Sequence, residues 1–410
     1  MLLIRNIKTL FLTETTPQRM VRGSEMSQLN SINDGWILID EDKIHSFGAM
    51  NICPQNVVNQ IDATGKSMLP SFCDSHTHLV FAAFREAEME QRLRGVSYQE
   101  IAQNGGGILH SAHRLQQMSE QDLLEQAQHR LRAVAQMGTG AIEIKSGYGL
   151  TVESELKMLR VIRRLRESSE VAVRATFLGA HAVPAAFKEH REAYVDLIVR
   201  EMLPNIAAEG LADYIDVFCE KIAFSVAEME KILAAAAKYG LKPKIHANQF
   251  YCMGAIAAAV RHEAVSVDHL EVLSDDDIAA LQASDTVATL LPTAPFFLND
   301  AHRPPARRLI EAGIAVALAT DYNPGTSPSG RMSFVWSLAC LQLQMTPTEA
   351  LQALTLNGAA AMELSATHGS IAVNKKANLL ITKPINSLAS LPYSFGQDEL
   401  DTIILAGKII

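Results

Sequence analysis

The sequence predicts an α/β protein: a (β/α)8 TIM-type barrel with a small flanking β domain built from both chain ends. Three observations carry this. Across residues 67–363, eight apolar strand-like runs alternate with long amphipathic stretches, the order that produces a parallel sheet. Eight such repeats fit a closed barrel better than an open doubly wound sheet. No GxGxxG follows the first run, which argues against a dinucleotide fold.

Residues 1–66 read as short strands and turns, with "GWILIDEDKIHSFGAM" as a strand, an acidic turn and a second strand. The eight barrel runs are "MLPSFCDSH", "TGAIEIKSGYG", "VAVRATFLGAH", "YIDVFCEK", "LKPKIHANQ", "AVSVDHLE", "TVATLLPTAP" and "IAVALATDYNPG". Between them, "EQDLLEQAQHRLRAVAQMG" and "VESELKMLRVIRRLRESS" place apolar residues three and four apart, the helical period. "SVAEMEKILAAAAKYG" ends in glycine, a common helix stop. The glycine cluster "NGGGIL" over residues 104–109 is expected to be a mobile loop before a helix. Over residues 364–410 the β texture returns, in "HGSIAVNKKANLLITKP" and "LDTIILAGKII".

A chain of 410 residues, 48% hydrophobic, is long enough to bury a large core. Its net charge of −9 leaves no basic footprint for nucleic acid. No polybasic segment suggests a membrane surface, and no apolar stretch approaches the length of a span. The partner to expect is a small molecule. The five cysteines are widely spaced and form no CxxC pair, so neither a thiolate zinc site nor a disulfide framework is expected. A reducing cytoplasm suits them. "MLLIRNIKTLFL" is too short and too charged for a signal peptide.

In such a barrel the chemistry sits at the C-terminal ends of the strands. There the first run carries His76 and His78, the second Tyr148, the third His181 and the fourth Glu220 and Lys221. The fifth carries His246 and Gln249, the sixth His269 and the eighth Asp321. Alternate residues of a strand share a face, so His76 and His78 can reach one ion from the same side. A third histidine and a carboxylate would complete a site with an open position for water.

The ordered set of a His-x-His, two later histidines and an aspartate resembles the amidohydrolase superfamily. Within it, "DSHTHLVFAAFRE", "EIKSGYGL", "FLGAHAVP", "HANQF", "VDHLE" and "TDYNPGTSP" resemble the imidazolonepropionase family. The resemblance covers nearly the whole chain. It implies metal-dependent opening of the cyclic amide of 4-imidazolone-5-propanoate to N-formimidoyl-L-glutamate, a step of histidine degradation. It implies one Zn or Fe ion per chain, held by His76, His78, His246 and Asp321, and a homodimer. A bound ion brings the pKa of water to about 7, and Asp321 would shuttle the proton to the leaving nitrogen.

The same resemblance gives roles to other residues. His269 either stabilises the developing oxyanion or braces a carboxylate ligand. Gln249 stands where some relatives carry glutamate; it cannot act as a base and would hold the ring through its amide. Arg85 is expected to fork onto the substrate's propionate. Tyr148, His181, Asn323, Gly325 and Thr326 are expected at the substrate. A carboxylated Lys221 bridging two metals is the competing arrangement, and Lys145 reads as structural. The rival functions are a guanine- or cytosine-type deaminase, which usually needs the glutamate absent here, and an inactive scaffold, which would not keep the full ligand set.

Overall fold

The computed structural model describes residues 1–16, 18–96, 100–101, 106–395 and 397–410. The chain starts with β1 (Leu2–Phe11), whose Leu3, Ile4, Ile7 and Leu10 are fully buried. It pairs antiparallel with β2 (Ser31–Asp40), which turns into β3 (Lys43–Ala49) through the expected acidic turn. Glu41 takes a left-handed φ of 51° there, as a tight hairpin requires. The strands β4 (Gln60–Asp62) and β5 (Lys66–Pro70) both run parallel to β1.

The run over residues 68–76, expected as one strand, is divided between two sheets. β5 belongs to the flanking sheet, and the first barrel strand, β6 (Phe72–Asp74), begins only after Ser71 N–H donates to the Asn378 carbonyl. A period-two apolar pattern cannot show which sheet a strand joins.

Seven further strands follow β6: β7 (Thr139–Lys145), β8 (Ala172–Ala180), β9 (Tyr214–Cys219), β10 (Lys242–Ala247), β11 (Ser266–His269), β12 (Val287–Leu290) and β13 (Val316–Leu318). Each pairs parallel with the next. Helices separate them, including Glu120–Ala135, Val152–Ser168 and Val226–Ala236. The last of these opens with a Ser225–Glu228 capping box and runs into a short 3-10 turn (Ala237–Tyr239) that Gly240 stops at φ 74°, the left-handed cap that glycine adopts freely. At the seam, His78 N–H donates to the Tyr322 carbonyl at 2.9 Å and Asp321 N–H to the His76 carbonyl at 3.0 Å. These bonds join the first strand to the last and draw His76, His78 and Asp321 together.

The C-terminal segment returns to the flanking sheet as β14 (Leu379–Pro384), β15 (Leu400–Leu405) and β16 (Lys408–Ile409). The order is β16-β15-β14-β5-β1-β2-β3, with β4 beside β1. Its core packs Ile4, Ile7, Leu10, Ile37 and Met68 against Leu379, Ile381 and Ile404, so both chain ends contribute. "HGSIAV" makes only an isolated bridge, Ile371 to Thr13. Of the glycine cluster over residues 104–109, residues 104 and 105 lie outside the described residues, and Gly107 opens the helix Gly107–Gln117. Among the described residues no helix is long and apolar enough to cross a membrane.

Candidate active site

His76 and His78 lie just after β6, and both are buried. His76 Nδ1 lies 2.6 Å from Asp268 Oδ2 on β11, and His246 Nδ1 lies 2.8 Å from Asp216 Oδ2 on β9. A buried carboxylate facing Nδ1 fixes the proton there and leaves Nε2 as an acceptor. The Nε2 atoms face inward: His246 Nε2 is 3.3 Å from His78 Nε2, and Asp321 Oδ1 is 3.7 Å from His76 Nε2 and 3.6 Å from His78 Nε2.

Burial, and then neighbouring cations and imidazoles, hold His76 and His78 well below the usual histidine pKa, so both rings are neutral. His76 Nε2 is buried without a hydrogen-bond partner. Lone pairs turned on one another beside a carboxylate form a donor set suited to a divalent cation. His76, His78 and Asp321 offer atoms within 4.8 Å of one another, and so do His76, His246 and His269.

His269 differs from His76 and His78. Burial lowers its pKa, but Glu271, with Nδ1 to Oε1 at 3.5 Å, and Asp321 and Asp268 outweigh burial and raise it to about 9. A protonated imidazole donates hydrogen bonds and cannot ligate. Asp321 is pushed up to about 6 by burial, against the pull of His269 and His246. His269 (φ 89°) and Asp321 (φ 53°) both hold left-handed backbone, strain of the kind that collects at functional sites.

Above this cluster opens a narrow cleft. His78, Arg85, Tyr148, His181, His246, Gln249, His269, Asp321, Asn323 and Thr326 line it. Thus nearly every residue singled out in the sequence meets in one place. His76 lies beneath, and Gly325 stands behind Arg85. Arg85 is nearly buried; its Nε donates to Glu88 at 3.1 Å and its Nη1 to Ser111 at 3.0 Å. Glu88 in turn accepts from Gly107 N–H at 2.8 Å.

Tyr148 rides on a loop gripped from below. The carboxylate of Glu155 accepts from the N–H groups of Gly147 at 3.1 Å, Gly149 at 2.8 Å and Leu150 at 2.8 Å. A Cβ on Gly147 (φ 107°) would come within 2.9 Å of His181 Nδ1, which bonds the Gly147 carbonyl at 3.0 Å. His181 stacks on His78 at 5.1 Å between centroids, and burial and His246 lower its pKa to about 3.

Asn323 shapes its own loop. Its Oδ1 accepts from the N–H groups of Gly325 at 2.8 Å and Thr326 at 2.7 Å, and its Nδ2 donates to the Asp321 carbonyl at 2.7 Å. Lys221 is exposed and lies 5.1 Å from the centre of the Tyr251 ring. Glu220 accepts from Phe250 N–H at 2.9 Å, which orders the segment after Gln249.

Residues 67–410 match the model of the amidohydrolase family. Over 410 residues the chain is 52% identical to imidazolonepropionase of Christiangramia forsetii, covering all of both chains. It is 50% identical to imidazolonepropionase of Flavobacterium johnsoniae, covering 100% of this chain and 99% of the relative. The chain belongs to the imidazolonepropionase family of amidohydrolases. Among solved structures, a triazine hydrolase variant superposes with a TM-score of 0.76 at 17% identity, covering 100% of this chain and 94% of that one. A 5-methylcytosine deaminase of Klebsiella pneumoniae gives 0.74 at 17% identity, covering 100% and 97%. At that identity these two show the shared fold.

The sequence reading did not single out Asp216, Asp268, Glu155 or Glu271. Asp216 and Asp268 break the apolar runs of their strands, as does Glu143, and all three are fully buried. A buried acid in a central strand needs a partner, and that was the available signal. The partner is internal: Lys145 Nζ lies 2.6 Å from Glu143 Oε1 and 2.9 Å from Asp216 Oδ2.

Proposed function

We propose that the protein hydrolyses the cyclic amide of 4-imidazolone-5-propanoate to N-formimidoyl-L-glutamate, using one Zn or Fe ion held by His76, His78, His246 and Asp321. One observation carries the reading. Two buried aspartates pin the Nδ1 atoms of His76 and His246, so that inward-facing Nε2 atoms and a carboxylate converge under a cleft that also holds an arginine. Bound there, the ion would make water a competent nucleophile near neutral pH and polarise the ring carbonyl.

The chain's own groups supply the rest. Arg85 pairs with the propionate and sets the ring's position along the cleft. Gln249, neutral at every pH, holds the ring by its amide, and Tyr148 and His181 face the ring or the arm. Asn323 and Thr326 border the bound ring, and Gly325 makes room for Arg85. His269, cationic beside Glu271, donates to the oxygen on which negative charge develops. Water adds to the ring carbonyl carbon and the C–N bond breaks. Asp321, raised to about 6, takes the water's proton and delivers it to the departing nitrogen. A carboxylated Lys221 plays no part in this reading.

On the family resemblance, the protein acts in the cytoplasm as a homodimer, without nucleic acid. Residues 67–363 form the hydrolase unit, except that residues 67–70 complete β5 of the flanking sheet, and residues 1–66 and 364–410 form its composite partner. The test is an ultraviolet assay of imidazolone propionate with purified protein: the reading requires loss of the imidazolone band with formation of formimidoyl-glutamate. An unchanged spectrum from metal-loaded protein would overturn it.

A further inference from the structure

Beneath the histidines a single ammonium touches both of the aspartates that orient them. Lys145 Nζ is 2.9 Å from Asp216 Oδ2 and 3.6 Å from Asp268 Oδ2. The same two oxygens face the imidazoles, Asp216 Oδ2 at 2.8 Å from His246 Nδ1 and Asp268 Oδ2 at 2.6 Å from His76 Nδ1. Asp216 Oδ2 thus sits at hydrogen-bond distance from both the lysine and a ring, while Asp268 Oδ2 bonds its ring and lies within ion-pair reach of the same lysine. Lys145, Asp216, Asp268 and His76 are completely buried, and His246 nearly so, so water cannot take over any of these contacts.

Lys145 is itself held in place. Glu143 accepts from it at 2.6 Å; the same carboxylate accepts from Thr176 Oγ1 at 2.5 Å and pairs with Lys244 at 2.5 Å. Lys244 is tied in turn to the carbonyls of Ser75 at 3.0 Å and Ala361 at 2.9 Å. The lysine is thus the junction of a bonded frame drawn from β7, β8, β9, β10 and β11, and not a lone charge filling the barrel.

We propose that Lys145 is a positioning residue for the metal centre: it couples the orientation of His76 to that of His246 through the shared oxygens of Asp268 and Asp216. The proposal rests on the ligand set above. It adds that two ligands from different strands are set as a unit. Partners behind metal-ligating histidines typically change metal affinity about 10- to 100-fold when removed. Loss of the junction should disturb both rings together.

The test measures Zn²⁺ affinity of the full chain by competition with a chromophoric chelator, without substrate, alongside the visible spectrum of the Co²⁺-loaded protein. Lys145→Met is expected to weaken binding about tenfold or more and to shift the Co²⁺ bands. Affinity within about twofold of the parent, with an unshifted spectrum, would overturn the proposal. Should Lys145→Met fail to fold, Asp216→Asn, Asp268→Asn and their double variant decide it. With coupling, the double variant loses clearly less than the product of the single losses, because either change already loosens the junction. Multiplicative losses, the signature of independent sites, would overturn it. If the parent chain itself bound no ion tightly, the ligand assignment would fail before the coupling was tested.

Discussion

A Cβ placed on Gly325 would lie 1.6 Å from Nη2 of Arg85. The loop after β13 therefore has glycine at this point because the guanidinium fills the space that a side chain would need. Arg85 N–H also donates to the carbonyl of neighbouring Pro324 at 3.1 Å, so the two loops are built against each other. Gly325→Ala should displace Arg85 and raise KM for the imidazolone, while metal content measured by elemental analysis stays at the parental level. A normal KM would show that the arginine does not need this seat.

Arg85→Ala should have the same sign and a larger effect. Losing a charge-assisted hydrogen bond costs about 1.5–3 kcal/mol, or roughly 10- to 200-fold in KM. Arg85→Lys keeps the charge but not the fork, and should recover little of the loss. Steady-state kinetics decide this, and an unchanged KM would remove Arg85 from substrate binding.

The four proposed ligands and His269 should separate in a metal assay. His246→Ala deletes an inward-facing nitrogen whose ring Asp216 already holds, so purified protein should carry far less than one ion per chain. His269→Ala should keep the ion and lose turnover. If His269→Ala also loses the ion, His269 belongs to the ligand set that its nearness to His76 and His246 permits.

Gln249 tests the proton path. It lines the cleft three residues after His246 and cannot titrate. Gln249→Glu adds a carboxylate there and should alter KM more than the shape of the acidic limb of the pH–rate profile. With Asp321 as the base, that limb should report Asp321 and its surroundings as a coupled unit. A large gain in kcat with a new titration step would move the base from Asp321 to position 249.

A carboxylate remote from the site makes a prediction about stability. Burial raises the pKa of Glu349, but Arg307, the Thr346 N–H and hydroxyl, and Ser27 outweigh it and hold it at about 2. Arg307 Nη2 lies 2.6 Å from Glu349 Oε2. The folded pKa is below that of the unfolded chain, so this stabilisation is complete above the ordinary glutamate pKa of about 4.3 and fades as pH falls toward 2. Glu349→Gln should lower Tm at pH 7, and the gap from the parent should narrow below about pH 4. A gap that did not depend on pH would mean that Glu349 contributes packing alone.

The order of strands and the polar residues at their ends were legible because both leave local marks. Alternating runs and amphipathic stretches give the barrel. A histidine at a strand end stands out against the apolar run before it, as His246 and His269 do. What lies beneath those residues was not legible. Asp216, Asp268 and Lys145 sit on β9, β11 and β7, alternate strands of the barrel, and meet only because alternate strands fill one layer of its interior; their separations along the chain carry no trace of that. The grip of Glu155 on the Tyr148 loop looks, in sequence, like an ordinary acid in the first turn of a helix. Nor could the apolar run around Pro70 show that the chain changes sheets between Pro70 and Phe72.

The most direct test is to strip the purified protein with a chelator and follow the imidazolone band while Zn²⁺ or Fe²⁺ is titrated back. The stripped protein should not hydrolyse the imidazolone, and recovery should level off at about one ion per chain. Hydrolysis that persists without metal, or recovery that needs two ions per chain, would contradict this.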